Sequence, residues 1–285
     1  MRWIAVWMLM MLFGAGSGCA GSDGSPDVAG EEHRDGGDGG ADAGGDGGGC
    51  GTDCPPVDPE LLPGTYAMLQ VNARITNVPV VGQTHTETHA LLRATVTRGG
   101  ADRLDMLIQV CDLKQVSETT LVQVVFPEAF LQSLETYPRV IELRPDLGTN
   151  RFVSPLAVEV YGAHLVDPVN DTLPAEAADS RVYDQDGDGK PGVTIRVTGL
   201  VDGEIYLVQR SKSTLSGWFE SPDRWGGLID SEVEQVYLGS DNPVLSKPNE
   251  STKDPDPSHS TIVLKRIEPL HECDWISSQG EALFP

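Results

Sequence analysis

The chain has 285 residues, 43 acidic and 20 basic, and a formal net charge of −23. A field of that sign repels nucleic acid and anionic lipid headgroups and attracts cations, and no basic patch interleaved with aromatics offsets it, so nucleic-acid binding is excluded as a reading. The number of residues allows one large all-β domain beyond an N-terminal stretch of biased composition.

That stretch begins with Arg2, an unbroken apolar run from Trp3 to Phe13, and small residues leading to Cys19. The apolar run is about half the roughly 20 residues a membrane-crossing helix needs, which reads as a cleaved export signal. Gly16, Ser17, Gly18 and Cys19 resemble the lipobox of bacterial lipoproteins, in which small residues precede a Cys that is acylated and becomes the new N-terminus. The resemblance implies a signal peptide over residues 1–18 and a palmitate-type anchor on Cys19. Ala20 stands where inner-membrane retention uses Asp, so the resemblance also implies the outer membrane of the cell envelope. Ala20 to Pro56 contains 13 Gly and nine acidic residues, a composition that cannot bury enough apolar surface to fold. Residues 19–56 therefore read as a lipidated Cys and an acidic tether of about 30–35 Å root-mean-square span, and residues 57–285 as a β domain.

With Cys19 assigned to lipid, four cysteines remain, and an even number in an exported chain reads as disulfides. Of the three possible pairings the favoured one joins Cys50 to Cys54, closing the end of the tether, and Cys111 to Cys273. A Zn site on the same four thiols is the rival, with no second CxxxC pair to complete it.

From Thr65 onward apolar residues recur with a period of two, or in short runs bounded by Gly, Pro and Asp. Strands are predicted over 65–75, 85–98, 103–113, 121–126, 139–143, 156–163, 193–201, 204–213, 231–237 and 261–267, with one helical turn over 130–137. Gly-rich residues 98–102 and the Asp202-Gly203 pair signal hairpins, the second of type I′. Consecutive hairpins predict a single antiparallel meander of about ten strands, barrel-like, with a two-layer β-sandwich as the alternative. The opening segment Leu62-Pro63-Gly64-Thr65-Tyr66, followed by hairpins, is loosely similar to the start of lipocalin-like barrels, which implies a Gly and an aromatic at a closed barrel floor and a cavity inside. Charges beside the apolar positions of 103–113 and 231–237 argue against a membrane-spanning barrel.

Three motifs carry candidate chemistry. Asp184, Asp186 and Asp188 alternate in DQDGDGKPG, the first half of a calcium loop, with the Lys190 carbonyl as a further oxygen. Position 12 is Ile195 where an EF-hand has Glu, and a strand follows where an EF-hand has a helix, so the loop reads as a β-hosted calcium site, with Asp179 or Glu176 as added ligands. His85, Glu87 and His89 share one face of a strand and form a ligand set used for Zn or Fe, or else a plain polar face. Trp218, Phe219 and Trp225 beside Gly226-Gly227 read as core, or as a ligand-facing loop. Nucleophile elbows, phosphate loops and Ser-x-x-Lys motifs are absent. The sequence thus predicts an exported, lipid-anchored envelope protein with a non-catalytic binding or structural module and a calcium loop, its partner a small ligand or another envelope protein. A metal-assisted or carboxylate-based hydrolase is the alternative.

Overall fold

Many of the predicted strands pair with a neighbour in sequence, and others cross over to distant partners. The computed structural model describes residues 54–78, 82–247 and 251–285; Cys19, Cys50 and the signal and tether around them lie outside the described residues. Eleven strands and two α-helices are found among those described: β1 (Gly64–Val78), β2 (Gly82–Gly100), β3 (Arg103–Ser117), β4 (Val122–Val125), α1 (Glu128–Ser133), β5 (Tyr137–Leu143), β6 (Arg151–Tyr161), β7 (Val193–Gly199), β8 (Gly203–Ser221), β9 (Arg224–Ser240), β10 (Ser251–Lys253), β11 (Thr261–Ile267) and α2 (Cys273–Gln279).

All the strands join one antiparallel sheet, and eight of them close a ring in the order β1-β2-β3-β5-β6-β8-β9-β11, with β11 returning to β1. β8 is the hub. One edge pairs with β9 along almost its whole length; the other pairs with β7 over Gly203–Leu207 and then, from Gln209 onward, with β6. β4 extends the sheet from β7, and β10 pairs with the outer half of β1.

Several boundaries differ from expectation for identifiable reasons. The sequence predicts this strand from residue 156 onward, after Pro155, which cannot donate to a ladder. The strand instead begins at Arg151 and absorbs Pro155 and Leu156 in an irregularity between Ser154 and Ala157, leaving Leu156 exposed. β8 and β9 run on through the aromatic segment to a tight turn at Pro222-Asp223. Trp225 and Phe219 are buried, while Gly226 lets the backbone pass beneath Trp218, since a Cβ there would lie 3.1 Å from that ring. Asp202-Gly203 is not a type I′ turn: Gly199 takes the left-handed conformation (φ 120°), Asp202 Oδ1 accepts from its N–H at 3.0 Å, and Gly203 is the first residue of β8. The helical turn lies earlier than predicted because Pro127 sets its start, and Tyr137 already belongs to β5. α2 and the three-residue β10 carry too short a pattern to read from sequence.

Inside the ring the inward positions change character at one level. Toward one end they are apolar: Tyr66 and Met68 on β1, Leu92 and Ala94 on β2, Leu104, Met106 and Ile108 on β3, Leu215 and Phe219 on β8, Trp225 and Ile229 on β9 form one core. Tyr66 closes that end. Its hydroxyl lies 2.6 Å from the Leu62 carbonyl and 2.8 Å from that of Pro222, accepts from Arg266 Nη2 at 2.7 Å, and its ring lies under the Arg266 guanidinium at 4.8 Å. Burial, partly opposed by Arg266, pushes the Tyr66 phenol up to about 12.

Outside the ring, α2 covers β2 and β3, burying Ile276 against Ala67 and Leu91. The Cys111–Cys273 disulfide fastens it there across 162 residues of sequence, as the favoured pairing predicts, which excludes a four-thiolate Zn site. Cys54 is also disulfide-bonded. A cross-link that closes so long a loop constrains the unfolded chain strongly, so Cys111→Ala/Cys273→Ala is expected to lose about 2–4 kcal/mol, read as a lower urea midpoint against the oxidised wild type.

Candidate ligand cavity and cation loop

Past the level of Met68 and Leu92 the same inward rows turn polar: Gln70, Asn72, Arg74 and Thr76 on β1, Thr86 and Thr88 on β2, Gln115 and Ser117 on β3, Gln209, Ser211 and Ser213 on β8, Ser231 and Gln235 on β9. These residues surround a cavity of about 460 Å³. An apolar wall completes it, because β4, α1 and β7 pack Val122, Val124, Phe126, Phe130, Val193 and Ile195 together with Ile205 and Leu207 of β8. Small hydroxyls and amides fill less volume than Leu or Phe and hold water or ligand groups, so the ring is packed at one end and hollow at the other.

Charge enters the hollow end at two places. Arg74 is held by Ser251, through Nε to Oγ at 2.8 Å and Nη2 to the carbonyl at 2.9 Å, and its pKa is lowered by burial. Glu159 of β6 faces the cavity beside Tyr137 and Tyr161. Its Oε1 lies 3.7 Å from Nη2 of Arg139, whose side chain is 2% exposed. Arg139 spends its hydrogen bonds elsewhere, on Ser213 Oγ at 2.5 Å and Ser154 Oγ at 3.5 Å. Glu159 Oε1 therefore finds no hydrogen-bond partner among the described residues. Burial pushes the Glu159 carboxyl above the usual range, with Arg139 opposing, and burial and then Glu159 push Tyr137 and Tyr161 up.

The long connection between β6 and β7 carries the Asp-rich loop. It is clamped to the sheet by the buried Arg210, which pairs with Glu234 and donates to the carbonyls of Pro168, Val169 and Asp171. Within the loop Asp184 Oδ1 and Oδ2 accept from the N–H groups of Gly187 and Gly189, both at 2.8 Å, an arrangement that needs the left-handed backbone of those two glycines (φ 71° and 82°). Asp186 Oδ2 and Asp188 Oδ2 accept from the N–H and hydroxyl of Thr194, the second residue of β7, at 2.8 and 2.6 Å. The three carboxylates each offer an oxygen within 4.8 Å of the others. Asp186 Oδ1 is buried without a hydrogen-bond partner among the described residues, and burial, with Asp188 and Asp184 nearby, raises that carboxyl. Lys190 joins through its N–H, donated to Asp188 Oδ1 at 2.8 Å. Asp179 is not recruited: Arg181 binds both its oxygens and holds it down to about 2.

His85, Glu87 and His89 alternate with the cavity-lining Thr86 and Thr88, so they face away from the cavity. They do not converge as one three-ligand centre. Successive residues of a strand rise about 3.3 Å, which sets His85 and His89 about 13 Å apart along β2. His89 is engaged on both nitrogens, with Glu87 Oε2 at 2.7 Å and Glu281 Oε1 at 2.8 Å. His85 turns instead to Asp254, 169 residues away.

No family model matches the chain, and comparison with curated proteins and with solved structures finds no match.

The buried Arg139–Glu159 pair makes a pH-dependent prediction. Arg139→Met leaves a buried carboxylate without its cation and is expected to cost about 3–5 kcal/mol at pH 7. Without Arg139 the Glu159 carboxyl rises further, so the folded state holds a proton that the unfolded state releases above its ordinary value near 4.5. Stability of the variant then falls as pH rises from 5 to 7. Urea unfolding at the two pH values checks the sign, and Arg139→Met/Glu159→Leu is expected to be flatter with pH.

Proposed function

We propose that this chain is an exported, lipid-anchored protein of the cell envelope whose ring binds a small amphipathic molecule without transforming it. The half-hollow ring carries the reading: a cavity of about 460 Å³ with one apolar wall and one wall of amides and hydroxyls has the size and lining of a small-molecule site. Glu159 Oε1, buried and without a hydrogen-bond donor among the described residues, suits a hydroxyl or amine of the ligand. The acidic chain favours a neutral or cationic ligand for the same reason that it disfavours nucleic acid. The closed end at Tyr66 fits the resemblance of Leu62–Tyr66 to the opening of lipocalin-like barrels. Anchoring rests on Cys19 and the lipobox resemblance.

N-Phenyl-1-naphthylamine, a neutral amphipathic amine whose fluorescence rises in apolar surroundings, tests the cavity. Saturable enhancement at one equivalent is expected, with affinity at least 10-fold weaker in Ser211→Phe, which fills the cavity from β8. No saturable signal, or equal affinity in a folded Ser211→Phe, would count against the site.

The Asp-rich loop supports calcium as a structural ion that orders the β6–β7 connection against Thr194. The buried, unpartnered Asp186 Oδ1 favours a hard cation beside it. For a weak extracellular-type affinity of about 10⁻⁴–10⁻³ M, 10 mM calcium stabilises by about 1.4–2.7 kcal/mol. The midpoint of thermal unfolding is then expected to rise by about 3–10 °C over EDTA, and not in Asp186→Ala.

A further inference from the structure

A second polar cluster lies on the outer face of the ring, away from the cavity and the Asp-rich loop. It is built where the turn after β10 crosses β1 and β2. The Asp254 N–H donates to the Ala73 carbonyl at 3.2 Å, and the Ala73 N–H donates to Ser260 Oγ at 3.1 Å. Residues 254–260 are thus clipped at both ends to a single residue of β1. Between the clips, Asp256 caps a short 3-10 turn over Pro257–His259 and presents His259 toward β2.

Three side-chain atoms converge there: His85 Nε2, His259 Nδ1 and Asp254 Oδ2. They lie within 4.8 Å of one another, with Oδ2 at 2.7 Å from the first nitrogen and 3.0 Å from the second. The two imidazole rings meet edge to face at 5.4 Å. Asp254 is 4% exposed, and its other oxygen is fixed by the Asp256 N–H at 2.8 Å. Each imidazole also turns its remaining nitrogen toward a second carboxylate: His85 Nδ1 lies 3.8 Å from Glu87 Oε1, and His259 Nε2 lies 3.8 Å from Asp256 Oδ2.

This arrangement constrains the protons. A neutral imidazole carries one N–H and one lone pair. The Asp254 carboxylate only accepts, so with no cation bound the short contacts place an N–H on His85 Nε2 and on His259 Nδ1, while Glu87 and Asp256 stand behind the outer nitrogens at 3.8 Å. A cation at the centre would displace those two protons to the outer nitrogens and draw both inner lone pairs and the Asp254 oxygen to one point. The carboxylates behind both histidines are the outer partners that orient metal-ligating imidazoles. Two nitrogens and one oxygen suit a borderline-soft transition ion rather than calcium, which takes oxygen alone. Bonds of about 2.0–2.1 Å in a tetrahedral site place ligand atoms about 3.4 Å apart, so each ring need retreat by only about half an ångström. His259 is half exposed, which leaves water access to a fourth position.

We propose that His85, His259 and Asp254 form a binding site for a divalent transition-metal ion of the Zn²⁺ class, with Glu87 and Asp256 as its outer partners. The ion ties β2 to the turn after β10 and is independent of the calcium loop and of cavity binding.

The test uses the full chain without an affinity tag, in excess calcium, titrated with Zn²⁺ by calorimetry and with Co²⁺ by visible absorption. The expected result is one tight equivalent of Zn²⁺, with Co²⁺ giving the intense d–d bands of a four-coordinate site. His259→Gln, at an exposed position that leaves the fold undisturbed, is expected to weaken Zn²⁺ by at least about 30-fold. Glu87→Gln and Asp256→Asn are expected to weaken it by about 10- to 100-fold, the range for outer partners. His271→Ala, on the C-terminal side of the fold, should leave it unchanged. If wild type binds Zn²⁺ no more tightly than His85→Ala/His259→Gln, the proposal is overturned and the cluster holds protons only; retention of the tight equivalent in His259→Gln overturns it equally.

Discussion

Closure of the sheet through β8 is the constraint on which the rest of the molecule depends. One edge of β8 pairs with β9, and the other is shared end to end by β6 and β7. The pairings with β9 and β6, together with β11 on β1, close the ring of eight strands. The pairing with β7 carries the sheet past the ring and, with β4 and α1, supplies the apolar wall of the cavity. A break in the β8 ladder would open the core and the cavity together.

Within the ring, the physical division is between packing and solvation. The closed end is dense because aromatic rings interdigitate: Trp225 lies 4.7 Å from Phe219 and 4.9 Å from Tyr66, centre to centre. The hollow end replaces those side chains with Ser, Thr, Gln and Asn, which do not fill the section and whose polar atoms need partners. The Arg139–Glu159 ion pair there is imperfect, since Arg139 gives its hydrogen bonds to serines and leaves Glu159 Oε1 with charge compensation alone. Imperfect satisfaction costs stability in an empty core and is useful where a ligand supplies the missing donor.

The outer surface uses the sheet as a platform for two short turns whose side chains converge. The Asp-rich loop is held by Thr194, while Arg210 clamps the start of the same connection at 168–171; the 254–260 turn is held by Ala73. Both turns are acidic, both gather acceptors, and they differ in donor chemistry: oxygen only in the first, nitrogen with oxygen in the second. In each, the rigid strand sets where the loop starts and ends, and the loop's own side-chain caps set its interior.

What the sequence by itself determined is local and periodic. Alternation of two named the strands from β1 to β11 except the three-residue β10; Gly and Pro placed most turns; the spacing of Asp184, Asp186 and Asp188 put three carboxylates in one turn; and the four cysteines left once Cys19 is set aside led to the Cys111–Cys273 bridge. These features lie within a few residues or follow from parity, so no register is needed to see them. Tertiary structure alone decided the rest. The switch from Met68 to Gln70 on β1, Leu92 to Thr88 on β2 and Leu215 to Ser213 on β8 is present in the sequence, yet becomes a cavity only when pairing brings those switches to one level. Arg139 and Glu159 meet from the consecutive strands β5 and β6, and His85 meets Asp254 from a turn 169 residues away. A side chain's partner across a sheet depends on register and closure, which are properties of the whole ring, and no local pattern encodes them.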